Sequence, residues 1–378
     1  MNCLLIKQAL LYPLAAAINF FSITALLIIA GLLGKEELAA DIGIAQGALI
    51  AVFLSLSGNA RNLILASSTD SDEKGLFYFR LLIMLPAMFA VFFLATSFVE
   101  IPICLIVGLM LRKCSEWIAE LQLANREKHN DILFANKYVL INTVSLVLLT
   151  LTLLLSWMDI FYFTLYVWAL LPIAFLWSYI RWVLCSKQFT PSFTKFIPHL
   201  GSSMVIGITT YIFRILIVTL AGKALSGQVF TAYAIGGAVS ALYTYSVGPT
   251  LLLRGENSNK PILLFTLLTI LIGSGVCLSV PLLGVKFSSS LFVYAIGFSL
   301  IGGGIMLLAQ RKRLYVLQVV KKDVFVPDAL VNILLITSIP FAYYVFGEAS
   351  LTIFFLWAAI LNLLFYASLS YQSRSGSR

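Results

Sequence analysis

Charge is scarce in this chain. Only 11% of its 378 residues are Asp, Glu, Lys or Arg, against 61% hydrophobic, and the mean hydropathy is +0.99. A soluble domain carries roughly 25% charged residues, so a water-facing globular class is excluded and a polytopic membrane protein is indicated. Long polar stretches are also missing. The loops between apolar segments are too short to fold alone, which leaves no room for a nucleotide-binding or other soluble catalytic domain. There is no G-x-S-x-G, H-E-x-x-H, P-loop or Rossmann glycine pattern. The two histidines, His129 and His199, sit in separate polar stretches. The five cysteines, Cys3, Cys104, Cys114, Cys185 and Cys277, lie in or beside apolar runs without metal-like spacing and read as small apolar side chains. Neither a metal nor a cofactor is expected. The net charge of +9 does not point to nucleic acid, because basic residues of a membrane protein gather on its cytoplasmic side.

What the chain has is apolar runs of spanning length. The first, 9–33, is long enough to cross a bilayer and reads as a span and not as a cleaved signal peptide. The pattern predicts twelve spans: 9–33, 41–66, 76–97, 100–124, 133–156, 160–184, 200–222, 227–252, 261–283, 287–310, 325–346 and 350–369. With that count, eighteen of the 25 basic residues fall on the side of both termini, and only Lys35, Lys223 and Lys286 on the other. Such a bias predicts an N-in, C-in protein. A Pro191- and Pro198-stiffened cytoplasmic linker, 187–199, divides an N-terminal lobe, 1–186, from a C-terminal lobe, 200–378. The expected class is all-α, twelve transmembrane helices in two six-helix lobes.

Arg80, Lys137 and Arg181, in the end turns of their spans, count with the adjacent cytoplasmic loops, which leaves four basic residues inside the spans: Arg61, Arg112, Lys113 and Arg214. A charge at the bilayer centre costs at least ~2.5–3.5 kcal/mol, so such a residue normally faces a bundle interior or an aqueous path. The apolar part of the fourth span, Ile101–Leu111, is eleven residues, about 16 Å of helix, and cannot cross ~30 Å of hydrocarbon. The helix is therefore expected to continue through Arg112 and Lys113, with Arg112, Glu116 and Glu120 stacked on one face and able to offset one another. It would then line a cavity open to the cytoplasm; otherwise the span ends near Leu111 and 112–130 lies at the interface. Glu116 and Glu120 are the one internal carboxylate pair, and their basic neighbours argue for charge balance over acid–base chemistry. Arg61 follows Asn59 and precedes Asn62 near the end of the second span, where it either binds an anion or snorkels to the headgroups. Arg214 is far from any basic loop, with Thr209, Thr210 and Tyr211 a turn before it. It reads as an anion-attracting cavity residue, or as a structural ion pair or carbonyl contact.

Conformational signals are spread through the other spans: Pro13 with Asn19, Gly236-Gly237, Gly273 with Gly275, and Gly302-Gly303-Gly304 all weaken a helix or allow close approach. Tyr233, Tyr243, Tyr245 and Tyr294 offer aromatic surfaces for a sugar ring, or serve core packing and interface anchoring.

Two stretches carry a resemblance. Gly34-Lys35-Glu36-Glu37 leads into Gly43-Ile44-Ala45-Gln46 and Ser57-Gly58-Asn59-Ala60-Arg61; Ser226-Gly227-Gln228-Val229-Phe230 runs on to Tyr233-Ala234. With the twelve-span plan, these make the chain similar to the multidrug/oligosaccharidyl-lipid/polysaccharide exporter superfamily, in particular its O-antigen and capsule repeat-unit flippases. The resemblance implies two six-helix lobes in a V around a cationic cavity. It implies transport of an undecaprenyl-pyrophosphate-linked oligosaccharide across the bacterial inner membrane for surface polysaccharide synthesis. The pyrophosphate headgroup would be drawn by Arg61 and Arg214, with Arg112 and Lys113 as further cavity cations. Asn19, Asn59, Asn62, Tyr211 and Tyr233 would add polar lining. Glu116 or Glu120 would couple to an ion gradient, H+ or Na+, and membrane lipids and a polysaccharide polymerase would be the other partners. The rivals are a drug or cation exporter of the same fold, which wants acidic residues deep in the bundle, a major-facilitator transporter, and a membrane glycan polymerase or ligase. A major-facilitator transporter would carry a basic glycine-containing loop where this chain has Ser68-Thr69-Asp70-Ser71-Asp72-Glu73-Lys74. A polymerase or ligase would favour a large outward loop.

Overall fold

The computed structural model describes residues 3–57, 60–66, 70–129, 131–185, 197–242, 260–283, 287–318 and 324–375. Every regular element among them is helical. In chain order these are α1 (Cys3–Leu32), α2 (Glu36–Leu49) running into a π-helical turn (Ile50–Leu54), α3 (Ala60–Ala66), α4 (Asp70–Ser97), α5 (Ile103–Lys128) and α6 (Ile132–Leu154). There follow α7 (Met158–Leu184), α8 (Ile197–Leu242), α9 (Lys260–Leu283), α10 (Phe287–Gln318), α11 (Phe325–Phe346) and α12 (Ala349–Ser375). Ten helices among the described residues are long and apolar enough to cross a membrane, so the protein is multi-pass.

The breaks have local causes. Gly34 (φ 72°) lets the chain turn between α1 and α2. Asp131 caps α6, its Oδ1 accepting from the Phe134 amide at 3.1 Å. The 46 residues of α8 would span far more than one bilayer if straight. They are broken at Gly222, whose φ 74°, ψ 170° is a conformation open almost only to glycine.

Three expectations change. The second span was placed at 41–66. Its helix begins at Glu36 and ends with the π turn at Leu54, and Arg61 lies on the separate α3. Glu36 and Glu37, left outside the placed span, are in the helix and occupy its first turn, where the helix dipole favours them; Asp41, placed at the start of the span, is buried and paired. The seventh and eighth spans are joined without a loop, one glycine sufficing for the break. Arg80, counted with the cytoplasmic margin of α4, is buried. The continuation of the fourth span through Arg112 is observed, since α5 is one uninterrupted helix of 26 residues.

The chain forms two compact units. Unit 1 is residues 1–29 and 44–211; unit 2 is residues 30–43 and 212–378. In unit 1, α5 is buried along most of its length, and Tyr12, Phe77, Ile118, Leu121, Tyr138, Leu176 and Tyr179 form an apolar core around its second half. Unit 2 is packed through small residues. A side chain on Gly303 would strike the Gly236 carbonyl at 2.5 Å, and one on Gly273 the Gly297 carbonyl at 2.6 Å, so these backbones touch directly. Large apolar side chains point outward in both units, among them Phe89, Phe93, Leu264, Leu282 and Phe341, as on a surface that meets lipid.

Candidate functional site

The polar chemistry of unit 1 is organised by α5. Arg112, Glu116, Glu120 and Glu127 share one face of the helix, and each meets a partner on another helix. Arg112 is completely buried. Its Nε donates to Ser22 Oγ (3.1 Å) and Glu116 Oε1 (3.0 Å), its Nη2 to Asn142 Oδ1 (2.8 Å), and its Nη1 to the Trp168 carbonyl (3.0 Å). That carbonyl is available because Pro172, four residues on, has no N–H to offer it. The guanidinium lies over the Trp168 ring at 4.4 Å. Burying a charge this deeply is tolerated when each nitrogen of the guanidinium is satisfied in this way.

Glu116 is shared. Oε1 accepts from Arg112 and Ser22, and Oε2 from Lys113 Nζ at 3.2 Å. Lys113 also sits over the Phe20 ring, at 5.3 Å. The network extends through Asn19, whose Nδ2 donates to the Glu116 carbonyl (3.0 Å) and whose Oδ1 accepts from Tyr138 Oη (2.5 Å). Asn142 Nδ2 donates to the Tyr138 carbonyl at 2.8 Å, closing the group.

Further along α5, Arg80 of α4 reaches across to Glu120 at 2.8 Å, donates to the Trp117 carbonyl, and lies over the Trp117 ring at 4.8 Å. Arg61 of α3 grips Glu127 through Nε (3.2 Å) and Nη2 (2.8 Å). Beside them Glu73 is buried and accepts from Tyr179 Oη at 2.6 Å and from Asn125 Nδ2.

Unit 2 holds a different set. Arg214 is half-buried, donates from Nη1 to the Gly43 carbonyl, and stands over Phe230 at 5.6 Å. At the Gly222 break, Lys223 pairs with Asp41 at 2.8 Å and Gln228 donates to Glu36 at 2.5 Å. Here the contact is backbone-close, since a side chain on Gly227 would overlap the Glu36 carbonyl. Arg313 holds Asp328 in a two-point contact (3.1 and 2.7 Å), and Tyr366 donates to the same carboxylate.

The structure brings together Arg112, Lys113, Glu116 and Asn19; it places Glu120 further along the same helix, Arg61 on α3 against Glu127, and Arg214 and Tyr233 in unit 2. Tyr211 donates to the Leu94 carbonyl at 2.6 Å, and Tyr233 to the Leu351 carbonyl with its ring against Phe213 and Phe355, so both are buried in packing. Tyr294 stacks on Phe298. Asn59, Tyr243 and Tyr245, and the side chain of Asn62, lie outside the described residues. Sequence reasoning missed Arg80, Ser22, Asn142, Glu73 and Tyr179. For Glu127 a signal existed, its seven-residue offset from Glu120 on the same face.

No protein-family model and no curated protein matches the chain. Among solved structures it is similar to a crystal structure of a MATE mutant, at 14% identity over 97% of this chain and 96% of that one, with a TM-score of 0.53. It also aligns with an inward-facing multidrug resistance MATE family transporter of the MOP superfamily, at 13% identity over 98% of this chain and 96% of that one, with a TM-score of 0.48. The likeness to the first carries the fold: an all-helical multi-pass membrane protein built on the plan of a MATE transporter.

Proposed function

We propose that this chain is a non-enzymatic exporter of the multidrug/oligosaccharidyl-lipid/polysaccharide superfamily. Its cargo is an undecaprenyl-pyrophosphate-linked oligosaccharide, carried across the bacterial inner membrane for surface polysaccharide synthesis. Twelve crossings fit this reading if Gly201–Leu242 counts as two for its break at Gly222 and the charged α5 is added to the remaining helices of spanning length. Both termini are then cytoplasmic, on the side that gathers the basic residues.

The observation that supports an anionic cargo is the charge balance along α5. Each of its three carboxylates within the helix line faces a basic partner: Glu116 with Arg112 and Lys113, Glu120 with Arg80, Glu127 with Arg61. No carboxylate on that helix is left over for a cationic drug, whereas Glu116 serves two cations and leaves one positive charge in excess. Arg214 adds a second positive charge in unit 2. A drug exporter of the same fold is the competing reading, compatible with the likeness to the MATE mutant structure.

Deleting the gene tests the choice. Lipid-linked repeat units are expected to accumulate on the cytoplasmic leaflet, with loss of surface glycan and unchanged susceptibility to cationic drugs. Arg214→Ala at normal protein level is expected to reproduce the glycan loss. Intact glycan with raised drug susceptibility in the deletion strain selects the drug exporter.

A further inference from the structure

Of the two cations that hold Glu116, Lys113 is the one both partly exposed and lightly held. Arg112 is sealed at 0% exposure with a partner on each nitrogen, whereas the Lys113 side chain is 16% exposed. An ammonium carries three N–H donors. One goes to Glu116 Oε2 at 3.2 Å, and the Phe20 ring covers the charge at 5.3 Å without using a donor. The two oxygens of Glu116 are unequal. Oε1 is fixed by Arg112 and Ser22, which lie on the buried side, while Oε2 has Lys113. The Arg112–Glu116–Lys113 cluster sums to one positive charge, and its outermost member carries that excess.

We propose that Lys113 is the anion-receiving group of unit 1 and that Glu116 is its built-in competitor. An arriving phosphate-type anion takes the ammonium from Glu116 Oε2, and Arg112 and Ser22 hold Oε1 in place while it does so. The carboxylate thus keeps Lys113 oriented when no cargo is present and weakens the grip on cargo, which a transporter needs in order to release what it binds. This assignment rests on the anionic-cargo reading above and adds to it which cation receives the anion and what moderates its affinity. Glu116 acts through Lys113 and is a positioning residue.

The test uses the full chain in lipid nanodiscs, with farnesyl pyrophosphate and inorganic pyrophosphate as probes in titration calorimetry. Lys113→Ala is expected to weaken binding of farnesyl pyrophosphate by roughly tenfold or more, the loss of a charge-assisted contact. Glu116→Gln keeps an acceptor for Arg112 and Ser22 while removing the competing charge. It is expected to tighten binding by roughly fivefold to tenfold, the opposite sign from any merely structural damage. Glu116→Asp, which withdraws the carboxylate from Lys113 but leaves the charge, is expected to tighten it less and serves if the glutamine variant does not purify. Wild-type binding that Lys113→Ala leaves unchanged, or that both Glu116 variants weaken, overturns the inference and leaves the cargo reading standing. No binding of either probe to the wild type overturns both. Inorganic pyrophosphate binding as tightly as the farnesyl ester supports the Lys113 site but speaks for a free anion over a lipid headgroup.

Discussion

Helices α5 and α10 each pack against several neighbours in their own units, α5 through buried ionic and amide groups along its length, α10 through glycine contact along its middle with an ionic grip at its end, Arg313 on Asp328. Helix α5 reaches α1, α3, α4, α6 and α7 through buried ionic and amide groups. Helix α10 has no charged residue between Phe287 and Gln310, and its Gly302-Gly303-Gly304 stretch meets α8, α9 and α12 through backbone and small-residue contact. Within a bilayer, lipid tails compete with apolar side chains, so helices associate by close packing or by hydrogen bonds. Glycine contact needs no desolvation. The ionic route does, at several kcal/mol per charge before pairing repays it. Among the described residues of unit 2, the glycine-lined middle of α10 packs without a buried charge, and the Arg313–Asp328 pair lies towards the helix end. The charges of unit 1 are therefore better explained by what they do than by stability alone.

The sharpest way to break that comparison is to remove Arg112. Arg112→Met leaves Glu116 buried with Lys113 and Ser22, strands Asn142 and the Trp168 carbonyl, and is expected to cost about 3–5 kcal/mol. The readout is the thermal midpoint of purified protein in detergent. Adding Glu116→Gln to it is expected to return part of that loss, because the stranded carboxylate is then neutral. In unit 2 the matching disruption is steric. Gly303→Val puts a branched side chain against the Gly236 carbonyl and is expected to cost about 3 kcal/mol, without rescue by any change of charge. If charge changes rescued Gly303→Val, or failed to rescue Arg112→Met, the distinction between the two units would be lost.

These contrasts were unequally legible beforehand. The passage of α5 through Arg112 follows from length alone, since eleven apolar residues cannot cross the hydrocarbon, and the stacking of Arg112 on Glu116 follows from their four-residue spacing. Their pairings with other helices do not follow. Arg80 and Glu120 are 40 residues apart, Arg61 and Glu127 are 66, and no local periodicity links them. Lacking those partners, a reading from the chain sends Arg80 to the membrane margin and leaves Arg61 between snorkelling and an anion site. A reading from the chain starts α2 after Glu36 and Glu37, because Gln228, which satisfies Glu36, lies nearly two hundred positions away. Gly222 was legible as a boundary but not as a break within continuous helix. Gly222→Ala tests that backbone directly: a non-glycine residue at φ 74° is expected to cost about 2 kcal/mol, read as a lowered thermal midpoint, and no loss would mean the break survives without glycine.

The smallest effect belongs to the exposed end of α5. Arg126 and Asp131 form a pair at 3.0 Å that resembles the buried ones in geometry, but their side chains are 43% and 31% exposed. Water already solvates both charges, so removing one strands nothing, and such pairs contribute ~0–1 kcal/mol. Arg126→Ala is expected to shift stability by about 0.5 kcal/mol, the guanidinium's contact with Phe134 included, and by less still in high salt, where screening removes what the pair contributes. Asp131→Ala is expected to cost more, about 1 kcal/mol, because that carboxylate also caps α6. A loss from Arg126→Ala as large as that from Arg112→Met would mean that position along α5, and not burial, sets the energy of its ion pairs. The case that its buried charges are retained for work on a substrate would then have no energetic ground.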